Sequence, residues 1–180
     1  CTLRTNVWST VAARGGVTGS SPIQFTSDGR FLLFTAYATN LFPGATNPSV
    51  VQLYRRDLWS NETALVSLAF DGSNAAAKSA SAASGARSGA LTMTAEGRFI
   101  LFTTAATNIV AGVNTGVTAQ AYLRDMEGGA SELISAAPDG TGLDRGSGLC
   151  AMSAAARYFA FDSAATNVVP GLTNTSGRAQ

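Results

Sequence analysis

One stretch of the sequence occurs three times, and its central copy reads Gly97-Arg98-Phe99-Ile100-Leu101-Phe102-Thr103-Thr104-Ala105-Ala106-Thr107-Asn108-Ile109-Val110-Ala111-Gly112. The first copy is Gly29-Arg30-Phe31-Leu32-Leu33-Phe34, followed by Ala38-Thr39-Asn40-Leu41-Phe42-Pro43-Gly44. The third copy is Arg157-Tyr158-Phe159-Ala160-Phe161, followed by Ala165-Thr166-Asn167-Val168-Val169-Pro170-Gly171. The shared Ala-Thr-Asn recurs at intervals of roughly 60 residues, so the chain is predicted to be an array of similar structural units.

Each unit is predicted to contain four short β-strands in a meander. In the central unit, Ala90–Thr94 alternates apolar and polar residues, Ala95–Arg98 forms a tight turn, and Phe99–Thr103 is a short apolar strand. The third and fourth strands are predicted at Ala121–Asp125 and Glu132–Ala136, which match Leu53–Asp57 and Ala64–Leu68. No window shows helical periodicity, so the chain is predicted to be all-β.

The hairpin turns of the three units differ in one residue type. An acidic residue followed by glycine, as in Asp28-Gly29 and Glu96-Gly97, favours a tight turn because glycine adopts a positive φ without steric cost. The third unit has Ala155-Ala156 at this place, so its turn is predicted to be less sharp.

Composition excludes several classes of function. The 180 residues carry a net charge of +1 and contain no histidine, which removes the usual general base and most zinc sites. The scattered charges do not form the basic stripe of a nucleic-acid binder, and no apolar run is long enough to span a membrane. Cys150 lies in an apolar strand pattern and is predicted to be a core residue, and a disulfide with Cys1 is not supported. No cofactor is expected.

Four-stranded units of this length are typical of β-propeller blades. The pattern Asp-Gly-Arg-aromatic, then Ala-Thr-Asn with Pro-Gly, then Arg-Asp-Leu resembles the WD-like β-propeller repeats of the TolB-like superfamily over nearly the whole chain. The resemblance implies a propeller of four-stranded antiparallel blades in an exported bacterial protein, located in the periplasm, at the cell surface or outside the cell. It also implies a scaffold that binds partner proteins.

One departure from this family concerns a loop that could hold a hard cation. Relatives often carry an acidic residue just after the Pro-Gly, whereas this chain has Ala45, Val113 and Leu172 there. Calcium requires several oxygen ligands, with carboxylates among them, so no calcium site is expected.

The repeat phase divides the chain into units that start near residues 1, 53 and 121, within one partial propeller of residues 1–180. Cys1–Asn6 fits the slot of a third strand, and the chain ends just before the next one, so a half-blade is predicted at each end. Either these blades belong to a longer propeller, or a second copy completes a six-bladed ring. A cysteine at position 1 also leaves open a lipidated N-terminus.

The connections between second and third strands carry a repeated set of Asn and Thr residues, which we call the candidate face. These side chains could bind a polar ligand such as a glycan, or they could cap their own turns. The insertion between Asn74 and Gly89 is rich in Ala, Ser and Gly and is predicted to be a flexible surface loop. The candidate face consists of Thr39, Asn40, Thr46, Asn47, Thr107, Asn108, Asn114, Thr115, Thr166, Asn167, Thr173 and Asn174.

Acidic residues are the remaining candidates for catalysis, because two paired carboxylates can hydrolyse a glycoside without histidine. Those of this chain are expected in turns or at strand ends, namely Asp28, Asp57, Asp71, Glu96, Asp125 and Asp139. Arg56-Asp57 and Arg124-Asp125 are expected to form structural ion pairs. We therefore expect a non-catalytic propeller that mediates protein–protein interaction or assembly, with a carbohydrate-binding propeller and a hydrolase-associated one as alternatives.

Overall fold

The computed structural model describes residues 23–43, 45–46, 49–72, 80–82, 92–113, 118–148 and 150–171. Within this part of the chain all regular structure is β, as the sequence predicts. The strands are β1 (Gln24–Phe25), β2 (Phe31–Ala36), β3 (Gln52–Asp57), β4 (Glu62–Leu65), β5 (Ala80–Ala82), β6 (Phe99–Thr104), β7 (Gln120–Asp125), β8 (Ser131–Leu133), β9 (Cys150–Met152) and β10 (Phe159–Phe161).

The strands form three antiparallel sheets in chain order. The first sheet has the order β1-β2-β3-β4, the second β5-β6-β7-β8, and the third consists of β9 and β10. The first two sheets have the same register, since Phe31 pairs with Asp57 in one and Phe99 with Asp125 in the other. The predicted four-stranded meander is therefore observed twice among the described residues.

The second strand of each four-stranded sheet is almost continuously apolar because hydrophobic side chains pack on both faces of the sheet. All six residues of β2 are buried, and Leu33 and Phe34 contribute to different hydrophobic clusters on its two faces. A strand that is buried on both sides needs apolar residues at successive positions rather than at alternate ones. The apolar runs of the repeat thus indicate sheets that stack.

One hydrophobic cluster joins the first sheet to the second. Phe31, Leu33 and Leu53 of the first sheet pack in the same buried cluster as Ile100, Phe102 and Tyr122 of the second. Burying a large apolar side chain contributes about 1.5–3 kcal/mol, so this cluster stabilises the contact between the two sheets.

A second cluster joins the second sheet to the third. Leu101, Ala121 and Leu123 pack against Cys150 and Met152, with Phe159 and Phe161 at the margin. Successive residues of β7 therefore pack against different sheets. Tyr122 lies in the cluster with the first sheet, and Leu123 lies in the cluster with the third.

The third hairpin turn is as sharp as the other two, contrary to the prediction. Gly29, Gly97 and Ala156 each donate a 2.9 Å hydrogen bond to the carbonyl three residues earlier. Their φ angles are 71°, 73° and 51°, so Ala156 adopts the left-handed conformation that glycine provides elsewhere. The strands on either side hold the turn in shape, and the alanine is left in a strained conformation.

The prediction of a loop across 74–89 was wrong for its middle. Ala80–Ala82 forms β5 and pairs with Phe102–Thr104 at the edge of the second sheet, while 74–79 and 83–89 lie outside the described residues. The predicted strand Ala90–Thr94 is described from Thr92 onward, and in this part Met93 forms an isolated bridge to Ile100. β6 extends beyond this bridge, and its backbone groups require other partners.

The fourth strands end earlier than predicted, at Leu65 and Leu133. After Leu65, the N–H groups of Val66 and Ser67 both approach the carbonyl of Leu53, at 2.9 and 3.4 Å. Two residues therefore oppose one, which is the pattern of a β-bulge and interrupts regular pairing. The second sheet repeats the feature around Ala121.

Candidate functional site

The candidate face lies at the end of the sheets where β2, β6 and β10 finish, opposite the hairpin turns. Thr39 is half-buried and Asn40 and Thr46 are exposed in the first unit, while Thr107 is exposed and Asn108 half-buried in the second. In the third unit Thr166 is exposed and Asn167 half-buried. Predictions for Asn47, Asn114, Thr115, Thr173 and Asn174 fall outside the described residues.

A repeated tyrosine fixes the first two of these loops to the sheets. The hydroxyl of Tyr54 donates to the carbonyl of Ala38 at 3.1 Å, and that of Tyr122 donates to Ala106 at 3.4 Å. Both rings are fully buried, and burial raises the pKa of Tyr54 to about 12. Each tyrosine therefore holds the residue just before the Thr-Asn pair in place.

The candidate face also contacts the crossings between sheets. Phe70 N–H donates to the Asn108 carbonyl at 2.9 Å, which joins the crossing after the first sheet to the loop of the second. The crossing after the second sheet has Pro138 at the place of Phe70 and cannot make this bond. In this crossing, Asp144 makes the contact with the loop of the next sheet.

Asp144 holds the third loop through both backbone and side chains. Its carboxylate accepts hydrogen bonds from the Thr166 hydroxyl at 2.6 Å and from the Thr166 N–H at 2.9 Å. Its own N–H donates to the Asn167 side-chain oxygen at 3.1 Å. The hydrogen bond from the Thr166 hydroxyl is the main reason that the pKa of Asp144 is lowered.

The candidate face is therefore partly occupied by the protein's own hydrogen bonds. In the third unit, Thr166 and Asn167 bond to Asp144 in the crossing from the second sheet rather than to their own turn. The exposed side chains of Asn40, Thr46 and Thr107 are available for contacts with another molecule. Nothing in the sequence pattern marked Asp144, because the other units have no matching acid.

A buried Gln–Ser network lies beneath this face, and the sequence interpretation missed it. Ser67 donates to the side-chain oxygen of Gln52 at 2.6 Å and accepts from Leu53 N–H at 3.1 Å. In the second sheet, Ser135 makes the matching bonds with Gln120 and Ala121. These residues share their place in the repeat, and that repetition was the available signal. The network satisfies the backbone groups that the bulge leaves unpaired.

The opposite end of the sheets carries a repeated ion pair, but with a different arginine from the predicted one. Asp57 pairs with Arg30 at 2.8 Å, and Asp125 pairs with Arg98 at the same distance. The hydrogen bond from Arg30 holds the pKa of Asp57 at about 2, and that from Arg98 also lowers the pKa of Asp125.

The predicted partners of these acids, Arg56 and Arg124, are directed elsewhere. Arg56 donates to Thr63 and Asn61, and Arg124 donates to Ser131 on the next strand. The arginine of a strand and the acid that follows it project on opposite faces, which places the acid nearer to the arginine of the hairpin turn.

Two other candidate acids accept hydrogen bonds within turns. Asp28 accepts from the Thr26 hydroxyl at 2.6 Å, and Asp139 accepts from Thr141 at the same distance. Across the described ranges, no group of three His, Cys, Asp or Glu side chains is placed to hold a metal ion. At the cation loop, Ala45 is buried and Val113 half-buried, while Leu172 lies outside the described residues.

Cys150 is a free, buried cysteine, as its place in the apolar pattern predicts. Burial raises the pKa of its thiol to about 11, which leaves little reactive thiolate at neutral pH. In the described part of the chain, no helix has the length and apolarity to cross a membrane.

No protein-family model matches the sequence, and the comparison with curated proteins found no match. Among solved structures, the chain is similar to TolB from Acinetobacter baumannii, with 18% sequence identity and a TM-score of 0.40. The similar region covers 79% of this chain and 26% of the TolB chain, so the chain spans well under two thirds of that protein's length. Because this likeness is distant, we base the function on the chain's own residues.

Proposed function

We propose that the chain forms consecutive blades of a β-propeller and acts as a non-catalytic scaffold for protein–protein interaction. The observation that carries this proposal is the packing of the second sheet, which contributes Tyr122 to a cluster with the first sheet and Leu123 to a cluster with the third. Four-stranded antiparallel meanders that cover one another in chain order are the arrangement of propeller blades.

The repeated chemistry supports a scaffold rather than an enzyme. The Arg–Asp pairs, the Tyr–loop bonds and the Gln–Ser network occur in both four-stranded sheets, and a catalytic group is normally needed once rather than twice. Four of the six candidate acids hold turns or ion pairs, namely Asp28, Asp57, Asp125 and Asp139. Each repeated group therefore has a structural task.

The candidate face is the surface that we assign to partner binding. It gathers loops from successive sheets at one end and keeps Asn40, Thr46 and Thr107 exposed on a well-anchored backbone. Loops placed by a rigid scaffold commonly carry binding functions. We place the protein outside the cytoplasm of a bacterium, as the resemblance of its repeats implies.

Site-specific photo-crosslinking tests the proposed function. A photo-reactive amino acid at Asn40 or Thr107 should crosslink one partner protein, which is then purified and shown to bind the unmodified chain. The same group at Glu127, on the opposite end of the sheets, is the control and should not crosslink that partner. Saturable binding on a glycan array, lost in an Asn40→Ala variant, would instead identify a carbohydrate-binding propeller and overturn the proposal.

A further inference from the structure

Gln120, the first residue of β7, is fully buried and bonds to the crossing after the second sheet, which we call the second crossing (138–148). Its side-chain nitrogen donates to the Leu143 carbonyl at 2.7 Å, and its side-chain oxygen accepts from the Leu143 N–H at 3.3 Å. The amide therefore pairs with the Leu143 backbone as a residue of an antiparallel strand would. This pairing fixes Leu143 relative to β7.

The remaining hydrogen-bonding groups of the Gln120 amide are also used. The nitrogen donates to the Thr118 hydroxyl at 3.0 Å, and the oxygen accepts from the Ser135 hydroxyl at 2.7 Å. A side-chain amide has two N–H groups and accepts two hydrogen bonds, so all four are satisfied here. A buried polar network of this kind makes its surroundings rigid.

The end of the second loop, which connects β6 to β7, bonds to the same crossing. The Thr118 hydroxyl donates to the Leu143 carbonyl at 3.3 Å, and the Ser147 N–H donates to the Ala119 carbonyl at 2.8 Å. Gly146 packs closely enough that a Cβ on it would lie 2.6 Å from the Ala119 oxygen. The second crossing is therefore held by the second loop at Leu143 and again at 146–147.

The third loop, which follows β10, packs against the second crossing through side chains. The Asp144 carboxylate accepts from the Thr166 hydroxyl at 2.6 Å. The Leu143 side chain is buried in a cluster with Ala165, and Val168 packs at the margin of this cluster. The dipeptide Leu143-Asp144 therefore contacts Gln120 through its backbone and the third loop through its side chains.

We propose that Gln120 is the positioning residue for the third loop of the candidate face, so that the second and third loops contact a partner as one rigid surface. It acts through Leu143, whose backbone it holds, and through the adjoining Asp144, which holds Thr166. This inference rests on the proposed scaffold function and adds which loops act together.

Amide hydrogen exchange in the full chain, measured by NMR, tests this positioning without any partner. Gln120→Met removes the hydrogen bonds and keeps a side chain of similar length. We expect the N–H groups of Asp144 and Thr166 to exchange about tenfold faster relative to that of Leu101. The Leu101 N–H donates to a carbonyl within the same unit, so its exchange corrects for any change in global stability.

Gln52→Met is the matched control, because it removes the corresponding buried amide from the first sheet. It should leave the exchange of Asp144 and Thr166 unchanged relative to that of Leu101. Equal effects of the substitutions at Gln52 and Gln120, or no effect of either, would overturn the proposal.

Asp144→Ala tests the last contact of the series at an exposed residue. It should speed exchange of the Thr166 N–H about tenfold, because the carboxylate that accepts from this N–H is lost. The Leu143 N–H should stay protected, because Gln120 still accepts from it. Unchanged exchange at Thr166 would show that Asp144 does not hold the third loop, and the proposal would fail.

Gln120→Glu adds a pH profile that a general loss of stability would not produce. A protonated glutamic acid can donate to the Leu143 carbonyl and accept from its N–H, whereas the ionised form cannot donate. Burial raises the pKa of a carboxyl group above its usual value of about 4.3. Protection of Thr166, relative to Leu101, should therefore match that of the unsubstituted chain at acidic pH and be lost as the pH rises through this pKa.

The groups around Gln120 leave this profile to the introduced acid. Its bonding partners are hydroxyls and backbone groups, which do not titrate in this range, and the pKa of the nearby Asp144 is lowered rather than raised. A Thr166 protection ratio that does not change with pH in Gln120→Glu would overturn the proposal.

Photo-crosslinking tests the shared surface. The photo-reactive group at Val169, an exposed residue of the third loop, should capture the same protein as at Thr107 of the second loop. Capture at Thr107 without capture at Val169 would overturn the shared surface and leave the scaffold function intact. Capture at neither residue would overturn both, while the exchange measurements still decide whether Gln120 positions the third loop.

Discussion

Ala156 is the residue whose backbone is least suited to its place in the repeat. It has a φ of 51° at a turn where Gly29 and Gly97 stand in the other units. The left-handed conformation costs an L-residue about 1–2 kcal/mol, part of which the greater freedom of glycine in the unfolded chain offsets. Ala156→Gly is therefore predicted to raise the free energy of unfolding by about 1 kcal/mol in urea denaturation.

The neighbouring alanine provides the control for this substitution. Ala155 precedes it in the same turn without a positive φ, so Ala155→Gly should lower the free energy of unfolding by about 0.5–1 kcal/mol. A stabilising effect at both positions, or at neither, would contradict the assignment of strain to Ala156.

Asp57 is predicted to make the free energy of unfolding fall at acidic pH. Its pKa of about 2 lies below the value of an unfolded aspartate, so the stabilisation is complete above about pH 4 and is lost as the pH falls toward 2. Carboxyl NMR titration should show this low pKa and its return toward about 4 in Arg30→Ala. An unchanged titration in that variant would show that Arg30 is not the cause.

The sequence predicted which charged residues repeat but not which of them pair. Arg56 adjoins Asp57 along the chain, whereas the observed partner, Arg30, lies across the hairpin on the neighbouring strand. Such pairing depends on register and on the direction of each side chain. Neither is available before the strands are aligned.

At the scale of the elements, Tyr54 is predicted to connect the first sheet with its loop. Tyr54→Phe keeps the buried ring, which stacks on Phe34 with centroids 5.6 Å apart, and removes the hydrogen bond to Ala38. Losing such a bond and leaving a buried acceptor costs about 1–3 kcal/mol. Urea denaturation should show this loss, and the exposed Tyr158→Phe serves as the control, with no measurable change.

Two turn glycines have similar φ angles but differ in the space that a side chain would have, because the first sheet contacts only one of them. Gly29 and Gly97 have φ angles of 71° and 73°, but a Cβ at Gly97 would lie 2.8 Å from Cγ of Phe31 in the first sheet. At Gly29, no atom would lie within 4 Å. Gly29→Ala should destabilise by about 1 kcal/mol, from backbone strain alone, and Gly97→Ala by about 2–4 kcal/mol because overpacking adds to it. Equal losses would show that these sheets do not meet at Gly97.

Strand order and hairpin position could be predicted from the sequence because they depend on local turns and apolar runs. β5 could not, since the Ala-Ser-Ala of Ala80–Ala82 has no β-branched or aromatic residue and does not differ in composition from the Ala- and Ser-rich sequence around it. Its place is determined by the unpaired edge of β6, a tertiary effect. The bulges at Ser67 and Ser135 escaped prediction for a similar reason, because they depend on a buried glutamine far along the chain.

At the scale of the whole molecule, function depends on how sheets meet rather than on any single sheet. The candidate face exists because loops of successive sheets are held side by side. The repeat period predicts three units, and the described strands form three sheets. The contact of Asp144 with Thr166 joins the crossing after the second sheet to the loop of the third, and no repeated residue pattern marks it.

The packing of the first sheet on the second is tested most directly by the NMR chemical shifts of the Gly97 α-protons. One of these protons points at the Phe31 ring of the first sheet. Arg55, also in the first sheet, donates a hydrogen bond to the Gly97 carbonyl at 2.6 Å. The stacked arrangement predicts that this proton resonates upfield of those of Gly29, and that Phe31→Leu abolishes the difference. Matching shifts for the two glycines, unaffected by Phe31→Leu, would contradict stacking of the sheets and the scaffold built on it.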